Sequence, residues 1–396
     1  MLKIKSIDIE GIGIFDKLSL NFNEGFNLIC GPNGIGKTTI LESIGQSFSG
    51  PYATNLLRRN FKHPAGKVKL NLLNGDMEFT AEMDRSTFHP DEAVESAAYA
   101  LNEFSKQVVV FKTYRGFDYI KVESIGRDQN KEDNRNECAN GVDSIASKQW
   151  FINRFMWAGR PGTLSKEEEY NLMIAQSIFE LIDENIKFHD VKHDTFDILV
   201  KQKDESVIYF EYLSSGYKSV IYILLGLIKE LELRFKNPKM QVDDFEGVIL
   251  IDELDLHLHP QWQAKLVGIL KKIFKKAQFI VSTHSPHMIQ VSGADEVIPL
   301  WFDKDRKVAE NKIVTNEYGF QGWTVEEILK DVMGLEETTS QLYRETMEQF
   351  NNALDELDKE VAEKAYDTLD KMLHRDNHLR KLLKLQMSKL GESTDD

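Results

Sequence analysis

The chain has 396 residues, 41% of them hydrophobic and 29% charged, enough for one large core with appendages or for two domains. A formal net charge of −15 excludes a protein that coats nucleic acid through its overall field, so any such contact must come from a local basic patch. Two cysteines, Cys30 and Cys138, make no disulfide framework, Met1-Leu2-Lys3-Ile4-Lys5 lacks the apolar run of a signal peptide, and no apolar stretch has the length of a membrane span; the expectation is a cytoplasmic protein with no membrane partner.

Ile4, Ile7 and Ile9, then Leu18, Leu20 and Phe22, have the spacing of two antiparallel strands, a small β-subdomain ahead of the rest. Phe15, between them, either stacks on an adenine or packs in the core; core packing is the expectation. Phe26-Asn27-Leu28-Ile29-Cys30 reads as a buried strand, and residues 39–44 open a helix. Between them stands Gly31-Pro32-Asn33-Gly34-Ile35-Gly36-Lys37-Thr38, with glycines at both ends of a four-residue spacer followed by Lys and Thr, the pattern of a phosphate-binding loop. The glycines let the backbone turn tightly and point N–H groups at one anion, and the helix start adds its positive dipole end. Asn33, Gly34, Gly36, Lys37, Thr38 and Thr39 are therefore the candidate ATP-binding residues, with Lys37 reaching the β- and γ-phosphates and the Thr38 hydroxyl on Mg²⁺.

Residues 55–69 carry Arg58, Arg59, Lys62, His63, Lys67 and Lys69, the densest basic run of the N-terminal half; a solvated loop is the expectation, with phosphate contact the alternative. Val68, Leu70 and Leu72 alternate, Asn74-Gly75 signals a hairpin, and Met77, Phe79 and Ala81 return. Val108-Val109-Val110-Phe111 is a buried strand ending at Tyr114-Arg115-Gly116, and the polar residues 126–141 read as a mobile surface loop. Helical periodicity over 148–158 and 166–186, with Leu172, Ala175, Ile178, Phe179 and Ile182 on one face, predicts an inserted α-helical lobe. Strands over 196–200 and 207–210 lead to Leu213-Ser214-Ser215-Gly216 and a helix over 220–235. Val248-Ile249-Leu250-Ile251 runs unbroken into Asp252-Glu253, as a central parallel strand delivering acids to its C-terminal end does. A helix over 261–276 follows, then a strand ending in Thr283-His284-Ser285, then a last core strand over 297–301; from Trp323 onward only helical patterns remain.

These motifs, in this order, resemble the ABC-type ATPases of the branch that includes RecF, the SMC proteins and the OLD nucleases. The run Glu253-Leu254-Asp255-Leu256-His257-Leu258-His259-Pro260 is similar to the compact ATPases of bacterial anti-phage systems, the retron- and Septu-associated ATPases among them. The resemblance implies an α/β fold: a P-loop ABC-ATPase core over 1–305 with an N-terminal antiparallel β-subdomain and a helical lobe at about 140–195, and a C-terminal helical appendage over 306–396. It implies that ATP sits between two protomers, in a homodimer or higher even-numbered assembly, with Ser214 and Gly216 of one protomer at the γ-phosphate held by the other. Ser215-Gly216 stands where that family has two glycines, and Tyr217 where it has glutamine. It further implies Asp252 as the Mg²⁺ carboxylate beside Thr38, Glu253 as the general base, His284 as the γ-phosphate sensor and Asp255 as a residue of the dimer interface rather than of a metal site with His257 and His259.

Two functions are weighed on this basis. The first is an ATP-hydrolysing switch that controls a separate effector protein, a nuclease or toxin, in anti-phage defence; the chain carries no nuclease motif of its own. The alternative is a RecF-like DNA repair or DNA-end-binding ATPase, which the acidic balance disfavours. A transporter subunit and a non-hydrolysing scaffold rank below both, the scaffold because Glu253 is present.

Overall fold

The computed structural model describes residues 1–52, 57–92, 100–113, 119, 121–126, 128, 131, 133–143 and 146–392. In chain order, β1 (Leu2–Ile12) and β2 (Phe15–Asn21) precede β3 (Phe26–Cys30), the phosphate-loop segment and helix α1 (Lys37–Ser47). The hairpin β4 (Gly66–Asn74) and β5 (Met77–Arg85) turns at Gly75, whose φ of +61° suits glycine, and joins the first two strands in an antiparallel sheet of order β2-β1-β4-β5. Strand β6 (Val108–Phe111), helices α2 (Arg135–Asn140), α3 (Ala146–Trp157) and α4 (Lys166–Ile182), and a small sheet of β7 (Ile186–Val191), β8 (Ile198–Gln202) and β9 (Val207–Tyr209) follow. Helix α5 (Ser215–Arg234) then leads to β10 (Val248–Ile251), α6 (Pro260–Ile273), β11 (Gln278–Ser282), α7 (Pro286–Gln290), β12 (Val297–Phe302), β13 (Val308–Glu310) and the short α8 (Val325–Glu327).

The central sheet has the order β13-β12-β3-β11-β10-β6 and is parallel except for β13, which runs antiparallel to β12. Its inner strands are covered on both faces, which is why β10 is four apolar residues in a row, each fully buried. On one face, α4 presents Leu172, Ala175, Ile178, Phe179 and Ile182 to the core that α5 shares; its start is fixed by a capping box between Ser165 and Glu168.

The chain divides into two compact units, Met1–Gly334 and Leu335–Asp396. The second is built from α9 (Gln341–Asp355), α10 (Lys359–Met372) and α11 (Leu379–Glu392), which bury Phe350, Ala365, Leu369 and Leu383 among themselves. Ser340 and Asp358 cap the first two of these helices by accepting from the Tyr343 and Val361 amides. Among the described residues no helix is long and apolar enough to cross a membrane.

Three local expectations are corrected. The loop expected over 126–141 holds α2 within it, because Cys138 and Ala139 are buried, with the Cys138 thiol 3.6 Å from the Ser105 carbonyl. The helix expected to reach 186 stops at Ile182, and β7 begins at Ile186. Beyond β12 the sheet gains the three-residue β13, too short to leave a sequence pattern. Phe15 packs in the core, 1% exposed, with its ring against Gly36, so it offers no adenine platform. The expected strand end at Tyr114-Arg115-Gly116 and the first two residues of the 55–69 run lie outside the described residues.

The seat of α2 yields a stability prediction. A Cβ on Gly45 of α1 falls 2.5 Å from the Cys138 carbonyl oxygen, so Gly45→Ala destabilises by about 1–3 kcal/mol in chemical denaturation, although alanine is the better helix former.

Candidate nucleotide site

After β3 the backbone turns at Gly31, where a side chain would collide with the Leu300 carbonyl of the neighbouring strand β12. Gly34 and Gly36 hold φ of +75° and +95°, a region that side chains disfavour, and a Cβ on Gly36 would strike the Phe15 ring. The loop wraps the buried Lys37 ammonium, which donates to the Gly31 and Pro32 carbonyls at 2.9 and 3.0 Å. Burial pulls the Lys37 pKa below its ordinary value, against the raising effect of Cys30 and of the carboxylates of Asp252, Asp255 and Glu253.

Asp252 ends β10 and is buried; its carboxylate accepts from the Thr38 hydroxyl at 3.0 and 3.2 Å and from the Ser282 hydroxyl at 2.5 Å. Ser282, at the end of β11, also accepts from the Glu253 amide at 2.7 Å, and Glu253 holds a left-handed φ of +47°. Such a backbone at a non-glycine residue is stored strain, held here by the two strand ends. Asp255 accepts from the Thr283 hydroxyl at 2.6 Å and the His284 amide at 3.0 Å, which fixes the turn that carries the histidine. Burial and the Lys37 charge hold the His284 imidazole below the ordinary histidine pKa, with the three nearby carboxylates opposing, so the neutral ring prevails at neutral pH.

One cavity of about 370 Å³ brings Asn33, Gly34, Gly36, Lys37, Thr38 and Thr39 together with Glu253, Ser282 and His284. Ser214 and Gly216 do not line it. They line a second hollow of about 690 Å³ with His257, His259 and Trp262. Ser214 caps α5 by accepting from the Tyr217 amide, and a Cβ on Gly216 would come 2.6 Å from the His257 carbonyl, so glycine there lets the helix start close on the loop after the acids. Tyr217 turns inward: its hydroxyl donates to the Phe179 carbonyl and its ring meets Trp262 at 5.6 Å. Among the described residues no group of three or more His, Cys, Asp or Glu is placed to hold a metal by itself. Ser282 escaped the sequence reading; the signal for it was a hydroxyl ending an apolar strand parallel to the one that ends in acids.

The residues fit a triphosphate and a Mg²⁺. A glycine loop at the start of an eleven-residue helix, closed on a buried ammonium, suits phosphate, and a hydroxyl within 3.2 Å of a carboxylate gives the hard oxygen donors that Mg²⁺ takes. The parallel sheet with this loop and the acids at its carboxyl edge defines a P-loop nucleotide-binding protein of the α/β class.

Comparison with known proteins is consistent with that class. The family described as "AAA domain, putative AbiEii toxin, Type IV TA system" matches residues 26–289. The chain is 46% identical over 395 residues to the Septu protein PtuA of Bacillus thuringiensis, covering 99% of both chains. A retron Ec83 probable ATPase of Escherichia coli is 36% identical over 101 residues, 26% of this chain and 18% of that one. The Smc head domain of Pyrococcus furiosus, solved with an extended coiled coil and the C-terminal domain of ScpA, matches with a TM-score of 0.51 at 14% identity, over 84% of this chain and all of that one, a likeness of fold. The chain belongs to the Septu PtuA family of AAA-domain ATPases.

The depressed histidine gives a titration prediction. In NMR titration of the nucleotide-free protein, His284 takes up its proton below about 6.5, and ATP with Mg²⁺, by bringing negative charge beside it, moves that pKa upward. Because the folded value lies below the unfolded one, the ring also withdraws stability as pH falls from about 6.5 toward the folded pKa, and His284→Asn removes that part of the acid-side loss.

Proposed function

We propose that two copies of this chain clasp ATP head to tail, and that turnover there switches a separate effector protein, a nuclease or toxin, in bacterial anti-phage defence. The observation that carries this reading is the separation of two anion-binding ends: Lys37 and Ser214 line different cavities of one chain. Ser214 and Ser215 are exposed at the start of a twenty-residue helix, so the positive end of that helix and the two serine side chains are open to a phosphate that another copy holds.

In that arrangement the loop amides from Asn33 to Thr39 and the Lys37 ammonium bind the phosphates, and Thr38 with Asp252 holds Mg²⁺. The bound ion supplies neutralisation of the charge that builds on the phosphates during transfer. Glu253 orients the attacking water and takes its proton; the left-handed backbone aims its side chain into the cavity that Lys37 lines. His284 donates from its neutral ring to the γ-phosphate, while Asp255 and Thr283 keep that ring in place. Control of an effector is supported by the kinship with Septu and retron ATPases and by the second unit, which leaves Leu342, Leu382 and Leu385 exposed for a protein partner.

Two measurements test the reading. Glu253→Gln retains ATP binding but loses turnover by about a hundredfold or more, and persistent hydrolysis contradicts the assignment. Lys37→Ala and Ser214→Arg are each inactive alone, but mixing them rebuilds one site per mixed pair and restores up to about a quarter of the wild-type rate. No recovery on mixing, with both variants folded and exchanging, counts against the composite site.

A further inference from the structure

We propose that an aromatic and basic knuckle on the N-terminal lobe docks an unpaired nucleic-acid strand. Phe61 is 78% exposed and Phe88 42%, and their rings meet at 5.6 Å and 54°, outside every core cluster. The Arg59 guanidinium lies 5.0 Å over the Phe88 ring and is fixed there by the Ser86 and His63 carbonyls at 2.9 and 2.8 Å. The Lys62 side chain beside them is 74% exposed. Flat apolar faces framed by fixed and free cations match bases and phosphates together.

The charge around the knuckle runs against that of the whole chain. No acid occurs between Glu42 and Asp76, the span that holds Arg58, Arg59, Lys62, His63, Lys67 and Lys69. Among the described residues the acids near it are Asp16, 4.0 Å from Lys62 and 3.5 Å from His63, Glu82, paired with Lys67, and Glu92, whose carboxylate is taken up by the Phe88 and His89 amides at 3.0 and 3.2 Å, with Asp91 beside His89. Behind it the fully buried Arg85 donates only to neutral groups, the Gln46 side chain and the Asp84 carbonyl, and its Nε together with Nε and Nη1 of Arg58 makes no hydrogen bond. Burial and the neighbouring Arg58 lower the Arg85 pKa to about 10, which leaves it charged at neutral pH. Arg58 has the Glu92 carboxylate near it and donates to the Pro90 and Glu92 carbonyls, while the buried Arg85 has no carboxylate partner among the described residues, which leaves positive charge beneath the knuckle.

The strand is unpaired because a duplex buries the base faces that the phenylalanines need. The knuckle is also tied to the ATP site: the Asn60 amide donates to the Gly11 carbonyl and the Gly13 amide to the Arg58 carbonyl, one residue from Ile14, which lines the nucleotide cavity. A docked strand therefore bears on the same turn that walls the nucleotide.

The test is fluorescence anisotropy of the full chain with an oligothymidylate of about twenty nucleotides, a duplex of equal length and an oligoglutamate peptide. The expected result is binding of the oligothymidylate that weakens with salt, drops about tenfold or more in the Phe61→Ala/Phe88→Ala double variant, and loses part of its salt dependence in Lys62→Glu, with basal ATP hydrolysis unchanged in both. The proposal is overturned by the absence of oligothymidylate binding at low salt, by binding that the double variant leaves intact, or by tighter binding of the duplex or the peptide. Because basal hydrolysis is read in the same variants, failure here leaves the ATP-site reading standing.

Discussion

The Asp252 carboxylate, 3% exposed, accepts from Thr38 at the start of α1 and from Ser282 at the end of β11, so one buried charge joins three segments that are far apart in the chain. A carboxylate taken out of water costs several kcal/mol unless its lone pairs are met. Here hydroxyls from the phosphate loop's helix and from the neighbouring strand meet them. The same Ser282 hydroxyl accepts the Glu253 amide, so the neighbouring acid inherits its place from the arrangement that satisfies the first. Strand order makes this possible: β3, β11 and β10 lie side by side and parallel, and their carboxyl ends deliver Lys37, Ser282 and Asp252 to one edge.

The outward-facing start of α5 is set by different contacts. Glycine at 216 allows the His257 carbonyl to approach, and Tyr217 is anchored inward on Phe179 and Trp262. Where the resembled ATPases carry a polar glutamine, this chain carries a core residue, so in the proposed clasp the Ser214 side chain and the helix start are the groups left to meet a phosphate. In the proposed assembly the energy of the composite site then rests on few contacts, which suits a switch that must also come apart.

Much of the core was legible because its strands are covered on both faces. Val248-Ile249-Leu250-Ile251 and Phe279-Ile280-Val281 leave no other reading than buried strands, and the phosphate loop has a spacing set by the geometry of an anion nest. What escaped was short or anchored by few residues. Helix α2 has six residues and two buried side chains inside a polar stretch, β7 has no clean alternation, and β13 is three residues at a sheet edge. Ser282 was hidden for another reason: its part lies in hydrogen bonds across the sheet to Asp252 and Glu253, which no local pattern records. Phe15 was ambiguous in sequence because an aromatic near a glycine loop serves packing and stacking alike; only the contact with Gly36 decides it.

Cysteines placed at Asn33 and Ser215 of one chain measure the proposed clasp directly by thiol cross-linking. The native Cys30 and Cys138 are buried, with thiols pushed up to about 12, so they contribute little background. The account predicts a covalent dimer that forms with ATP and Mg²⁺ and is absent without nucleotide; a chain that stays monomeric under cross-linker with saturating ATP contradicts it.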